Sequence, residues 1–158
     1  MVILLADDKI QSLIDEEKRV SLKLSDFIPF KNKKGHKEQE ISIKRNDGSE
    51  FKIIIRQNKT DPLNFSVILG YIPKNLNRLF RITRYNGKGH QHTNKIEKNS
   101  FDDFHIHRAI QRYQEFGFDE DAYAEVTDKY SDLPSALNFF VKDCNVIVPQ
   151  DSQRSLFD

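Results

Sequence analysis

Residues 40–57, EISIKRNDGSEFKIIIRQ, constrain the fold more than any other stretch. Ile41 and Ile43 alternate with polar neighbours, and Phe51, Ile53 and Ile55 alternate again. Period two puts each set on one side of an extended chain. Asn46-Asp47-Gly48 lies between them, and such a triplet supplies the tight turn of a hairpin. An antiparallel pair with one apolar face has to be covered, so helices must supply a second layer.

The elements around it follow the same reading. FSVILGYI (65–72) is a nearly unbroken apolar run, as a central strand requires. LFRITRY (79–85) sets Phe80, Ile82 and Arg84 against Arg81, Thr83 and Tyr85. DDKIQSLIDEEKR (7–19) places Ile10, Leu13 and Ile14 on one helical stripe, with Asp7 or Asp8 to cap it and Lys18-Arg19 at its C-terminal end. SDLPSALNFFVKDC (131–144) repeats Leu137, Phe140, Val141 and Cys144 helically, with Ser131 or Asp132 as cap and Pro134 in the first turn. Residues 31–40 read as a charged loop and 86–103 as a long loop, whose length points to function or mobility. Residues 104–118 fit a strand at their start, with His105 and His107 opposite Phe104 and Ile106, or a helix striped by Ile106, Ala109, Ile110 and Tyr113. The strand is the preferred reading. The expected fold is α+β: an antiparallel sheet of at least four strands with an N-terminal and a C-terminal helix. It forms one domain over 1–148, followed by a flexible tail over 149–158.

A chain of 158 residues is long enough for one core. A single cysteine, Cys144, excludes an intrachain disulfide and a cysteine-based zinc site, and suits a reducing compartment, hence a cytoplasmic location. The opening MVILLA is too short for a signal sequence, and no stretch is long enough for a membrane span. The net charge of +1 hides an asymmetry. Residues 61–100 carry 7 basic and 2 acidic side chains, whereas 101–158 carry 5 and 12. The two halves either pair across the fold or leave a basic face for nucleic acid.

Four of the five histidines form two pairs, His90 with His92 and His105 with His107. Residues i and i+2 of an extended chain share a side, so adjacent segments would bring four imidazoles together. Three readings follow. The rings are polar residues of a sheet face; or they hold a divalent metal through three or four nitrogens; or they cleave RNA, one as general base on the 2′-hydroxyl and one as general acid on the leaving oxygen. No spacing matches a named metalloenzyme motif, and neither a metal nor another cofactor is expected. Arg81, Arg84, Lys88, Lys95 and Arg108 are close in sequence and suited to phosphates, while Tyr85 and Tyr113 are suited to stacking on bases.

The stretch RYNGKGHQHTNKIE, continued by FDDFHIHRAIQRYQEFGFDEDAYAE, resembles an uncharacterised bacterial family found in mobile-element and defence neighbourhoods, most clearly over residues 80–145. More distantly, the order of features is similar to TumE-type toxins: a strand ending in Arg-Tyr, a histidine-bearing loop, a Phe-x-His-x-His segment, then a helix opening near LPSAL. The resemblance carries over His90, His92, His105 and His107. It departs in the loop, where GKGHQHTN replaces a proline-containing double-histidine segment, and it implies a ribonuclease toxin with an antitoxin as its partner.

The tail QRSLF resembles the peptide by which bacterial replication proteins bind the DNA polymerase sliding clamp. Gln153, Ser155, Leu156 and Phe157 match it position by position. Leu and Phe would fill an apolar pocket, each worth about 1.5–3 kcal/mol gross, and Gln would add a directed hydrogen bond. Alternatively, the pair folds back onto the domain. The expectation is therefore a toxin- or defence-type protein acting on RNA or DNA and docking on the clamp. The alternative is a non-catalytic protein that occupies the clamp or another partner. Edge strands leave a homodimer open.

Overall fold

The computed structural model describes residues 4–89 and 91–149. The chain opens with α1 (Asp7–Asp15), β1 (Lys18–Arg19), a 3-10 turn (Leu24–Phe27) and β2 (Lys31–Asn32). The long strands follow: β3 (His36–Lys44), β4 (Glu50–Asn58), β5 (Phe65–Ile72) and β6 (Phe80–Asn86). Then come β7 (His92–Asn94), β8 (Asn99–Phe101), β9 (His105–Arg108), α2 (Gln111–Glu115), β10 (Ala124–Val126), α3 (Leu133–Asp143) and β11 (Val146–Ile147). Seven strands form one antiparallel sheet in the order β10-β9-β6-β5-β4-β3-β2. β7 and β8 form a separate hairpin, and β1 pairs with β11 in parallel.

The Asn-Asp-Gly turn does what its residues dictate. Gly48 takes φ +92°, where a side chain is disfavoured. The Asp47 carboxylate accepts from the backbone N–H of Ser49 at 2.9 Å, and Ile41 then stands opposite Ile53. β5 is the middle strand of the seven, as its unbroken apolar run required. The core lies between one sheet face and the helices: Phe51, Ile53, Ile55, Val67 and Leu69 against Ile10, Leu13 and Ile14 of α1 and Leu137 and Phe140 of α3. Asp132 caps α3 by accepting from the Ser135 N–H at 2.9 Å, with Pro134 in the first turn.

Four expectations need correcting. α1 stops at Asp15 rather than 19, because Lys18 leaves the helix to pair with Val146. Its buried ammonium donates to the carbonyls of Ile14, Glu16 and Cys144 at 2.7–2.8 Å, tying the C-terminal ends of α1 and α3 together. Asp7 is no cap: α1 opens on Ala6, and the Asp7 carboxylate accepts from the Gln111 N–H instead. The two stretches read as loops are not plain loops: 31–40 holds β2, a turn and the start of β3, and 86–103 holds the β7–β8 hairpin. In β6 the register against β5 slips between Leu69 and Gly70, so Leu69 faces Thr83 while Gly70 faces Arg81. This bulge reverses the alternation after Ile82. Thr83 and Tyr85 join Phe80 and Ile82 in the interior, and Arg84 turns to the opposite face beside His107.

Among the described residues no helix is long and apolar enough to cross a membrane. The tail match at Gln153, Ser155, Leu156 and Phe157 lies outside the described residues, as does His90.

Candidate functional site

β9 supplies two of the histidines. Ile106 between them packs against the main core, so His105 and His107 project from the other face. The register sets His105 opposite Asn86, and His107 opposite Arg84. On the far side His107 stands opposite Ala124 of β10. The β7–β8 hairpin brings His92 onto this pair. The ring centroids are 5.6 Å apart for His92 and His105, 4.7 Å for His92 and His107, and 4.9 Å for His105 and His107. Phe101 of β8 packs on both His92 and His105, at 5.5 and 5.4 Å. Three of the four paired histidines therefore meet.

Their tautomers follow from their partners. Nδ1 of His105 bonds the carbonyl of Asp103 at 2.7 Å, and Nδ1 of His107 that of Asp121 at 2.8 Å. Carbonyls only accept, so both Nδ1 atoms carry hydrogen and each Nε2 of a neutral ring is an acceptor. These Nε2 atoms face long-range donors: Asn86 Nδ2 at 3.4 Å from His105, and Arg84 Nη2 at 3.5 Å from His107. Burial and the adjacent Arg84 and His105 push His107 down to about 2, against the opposing Asp121 carbonyl. It is neutral throughout the physiological range.

His92 is arranged the other way round. Asn94 Oδ1 accepts from the Ala124 N–H at 2.9 Å, while Asn94 Nδ2 donates to the Ala124 carbonyl at 2.8 Å. That fixes the amide, and its oxygen then accepts from Nε2–H of His92 at 2.9 Å. Nδ1 of His92 is left as the lone-pair nitrogen, and no described residue hydrogen-bonds it. His92 is half-buried, whereas His105 and His107 are buried. A cleft of about 630 Å³ lined by Lys88, Gly89, Gln91, Ser100, Phe101 and Asp102 adjoins it through Phe101. Among the described residues no three His, Cys, Asp or Glu side chains are arranged to hold a metal ion.

The expected phosphate and base contacts divide. Arg81 and Arg84 lie on the histidine side and pair with the buried Asp121 at 3.0 and 3.5 Å. Lys88 lies over the Phe104 ring and Lys95 over that of Phe118, at 5.2 and 5.4 Å, both exposed. Arg108 belongs to the other face, where it donates to Asp143 at 3.0 Å. Tyr85 and Tyr113 do not reach solvent, which corrects their reading as base-stacking residues. Tyr85 donates to Asp143 beneath α3, and Tyr113 donates to Glu97. Sequence reasoning missed Asn86, Asn94 and Asp121. Asn94 was within reach, since it stands two residues after His92 and so shares its side of a strand. Asp121 carried no local signal.

Compared with known protein families, curated proteins and solved structures, the chain matches none.

Proposed function

We propose that this chain is a toxin- or defence-type protein of a bacterial mobile element, with a histidine-dependent ribonuclease centre and a C-terminal peptide that docks on the DNA polymerase sliding clamp. One observation carries the nuclease part: His92, His105 and His107 pack together beside the Arg84 guanidinium, on the sheet face away from the main core. The roles differ from an equal division among four rings. His92, with its Nδ1 lone pair and an oriented ring, is the general base for a 2′-hydroxyl. His105 and His107 are buried, His107 is neutral, and both act as its support. Arg84 lies where charge developing on a phosphate needs a cation. The 2′-oxygen attacks phosphorus and the 5′-oxygen leaves, giving a 2′,3′-cyclic phosphate. The leaving oxygen takes its proton from His90, the remaining histidine of the cluster in sequence.

Burial of His105 and His107 favours a second reading, in which the domain is an inert body and the tail alone acts by occupying the clamp. Two measurements separate them. Purified protein is incubated with labelled RNA, alongside His92→Ala. Clamp is titrated calorimetrically with the protein and with the Leu156→Ala/Phe157→Ala variant. Cyclic-phosphate products that fall about a hundredfold or more in His92→Ala support the nuclease. Clamp binding lost in the tail variant, without cleavage of RNA, supports the second reading. Neither cleavage nor binding sinks both.

A further inference from the structure

The strand registers align one row of side chains across five strands on the histidine face. Glu38 of β3 is opposite Arg56 of β4, and Arg56 is opposite Ser66 of β5. Ser66 is opposite Asn86 of β6, and Asn86 is opposite His105 of β9. Ser66 Oγ donates to Asn86 Oδ1 at 2.8 Å, and Asn86 Nδ2 reaches His105. The row thus runs from the histidine cluster to Arg56, over roughly 14 Å at about 4.8 Å per strand.

At the Arg56 end there is a second cleft, of about 280 Å³, lined by Lys34, Arg56, Asn58, Asn64 and Ser66 among others. Ligand pockets for whole small molecules run about 300–1,000 Å³, so this one suits a single phosphate with its sugar. Its polar side chains are two cations, three amides (Gln57, Asn58 and Asn64), the His36 imidazole and the Ser66 hydroxyl. Lys34 belongs to a segment, 31–37, with four lysines and no acid. Lys34, Lys59 and Lys88 are exposed and take no part in the ion pairs found among the described residues. The opposing charges are Glu38, which holds Arg56 at 2.9 Å, and the exposed Asp61, Asp102 and Asp103.

We propose that this cleft is a phosphate subsite, and that single-stranded nucleic acid runs from it on a track along the line of the row, past the exposed Arg56 and half-buried Ser66, to the half-buried His92, Asn86 and His105 themselves being buried. The inference rests on the nucleic-acid reading above and adds the path of the substrate. Lys34 and Arg56 neutralise backbone phosphates, the Asn58 and Asn64 amides bond sugar or phosphate oxygens, and the Ser66 hydroxyl, whose hydrogen goes to Asn86, accepts from a sugar hydroxyl. Backbone contacts of this kind position a strand without reading its sequence. A stacked strand advances about 3.4 Å per nucleotide, so the track holds several.

The test is fluorescence anisotropy of a labelled short oligouridylate with the full chain, over a range of salt, and cleavage assayed on the same samples. Lys34→Glu should weaken binding about tenfold and lower the salt slope by about one to two, Lys34→Arg should match wild type, and Arg56→Ala should weaken binding about fivefold. Melting curves by circular dichroism check that each variant folds. Wild type that fails to bind at low salt, or Lys34→Glu that binds as wild type does, overturns the track. Binding lost in Lys34→Glu with no cleavage by any protein keeps the track and removes the nuclease. Equal binding and equal cleavage by wild type and Lys34→Glu do the reverse.

Discussion

His92 and Asn94 share one side of β7, and the imidazole Nε2–H donates to the Asn94 amide oxygen at 2.9 Å. That amide also closes two hydrogen bonds with the backbone of Ala124, in the edge strand β10. One buried side chain therefore orients the candidate base and fastens the hairpin that carries it. Asn94→Ala leaves the Ala124 N–H and carbonyl without partners, at about 1–3 kcal/mol for each group. Urea unfolding should show a loss of about 2–4 kcal/mol, and any RNA cleavage should fall further than stability alone explains. Unchanged stability would mean that the hairpin does not depend on this amide.

His107 makes stability depend on pH with a definite sign. It stays neutral in the fold down to about 2, while the unfolded chain takes up a proton near 6.5. Between these values the unfolded state binds more protons. The contribution of His107 is therefore complete above pH 6.5 and is lost steadily as the pH falls, at up to about 1.4 kcal/mol per unit. Unfolding free energies at pH 7.5 and 4.5 should differ by up to about 2.7 kcal/mol more in wild type than in His107→Gln. Equal differences would show that the buried imidazole is charged or solvated.

Much of this arrangement was legible because period two is a strict code. Alternation placed Ile41, Ile53 and Ile55 in the core, and put His105 and His107 on one side of a strand opposite Ile106. The same code misled in β6, where a single bulged residue reversed it and exchanged the faces of Arg84 and Tyr85. A bulge answers to the partner strand, and its own sequence need not announce it. β10 is three residues long and β1 and β11 two each, too short for any periodicity. Asp121, which pairs with both Arg81 and Arg84, comes from a loop that only the closed sheet edge brings near them.

Cys144 should behave as a core residue rather than a reactive thiol. It is fully buried, and burial pushes its thiol up to about 12, despite the Tyr85 hydroxyl at 3.2 Å. At pH 8 its thiolate fraction is about a thousandfold below that of a free cysteine. Reaction with a chromogenic disulfide should be slow by about that factor in the native protein and rapid in denaturant. Comparable rates in both would place the thiol at the surface.

Gly87 and Gly35 test two different reasons for having no side chain. At Gly35 nothing lies within 4 Å of an added Cβ, but φ is +83°, so Gly35→Ala meets only backbone strain, about 1 kcal/mol. At Gly87 an added Cβ would lie 1.9 Å from the carbonyl oxygen of Leu63 and 2.8 Å from the Phe65 ring. That carbonyl cannot retreat freely, because it accepts from the Lys88 N–H at 2.7 Å, and the Gly87 N–H is held by the Phe65 carbonyl at 2.9 Å. The clash is with backbone, so no rotamer relieves it. Gly87→Ala should cost about 3 kcal/mol or more and lower the melting temperature by roughly 6–12 °C, at about 2–4 °C per kcal/mol for a domain of this size. Gly35→Ala should shift it by a few degrees. Similar shifts in both would mean that the strand β6 separates from the loop before Phe65 and that the approach of Lys88 to the histidine face is not fixed by this contact.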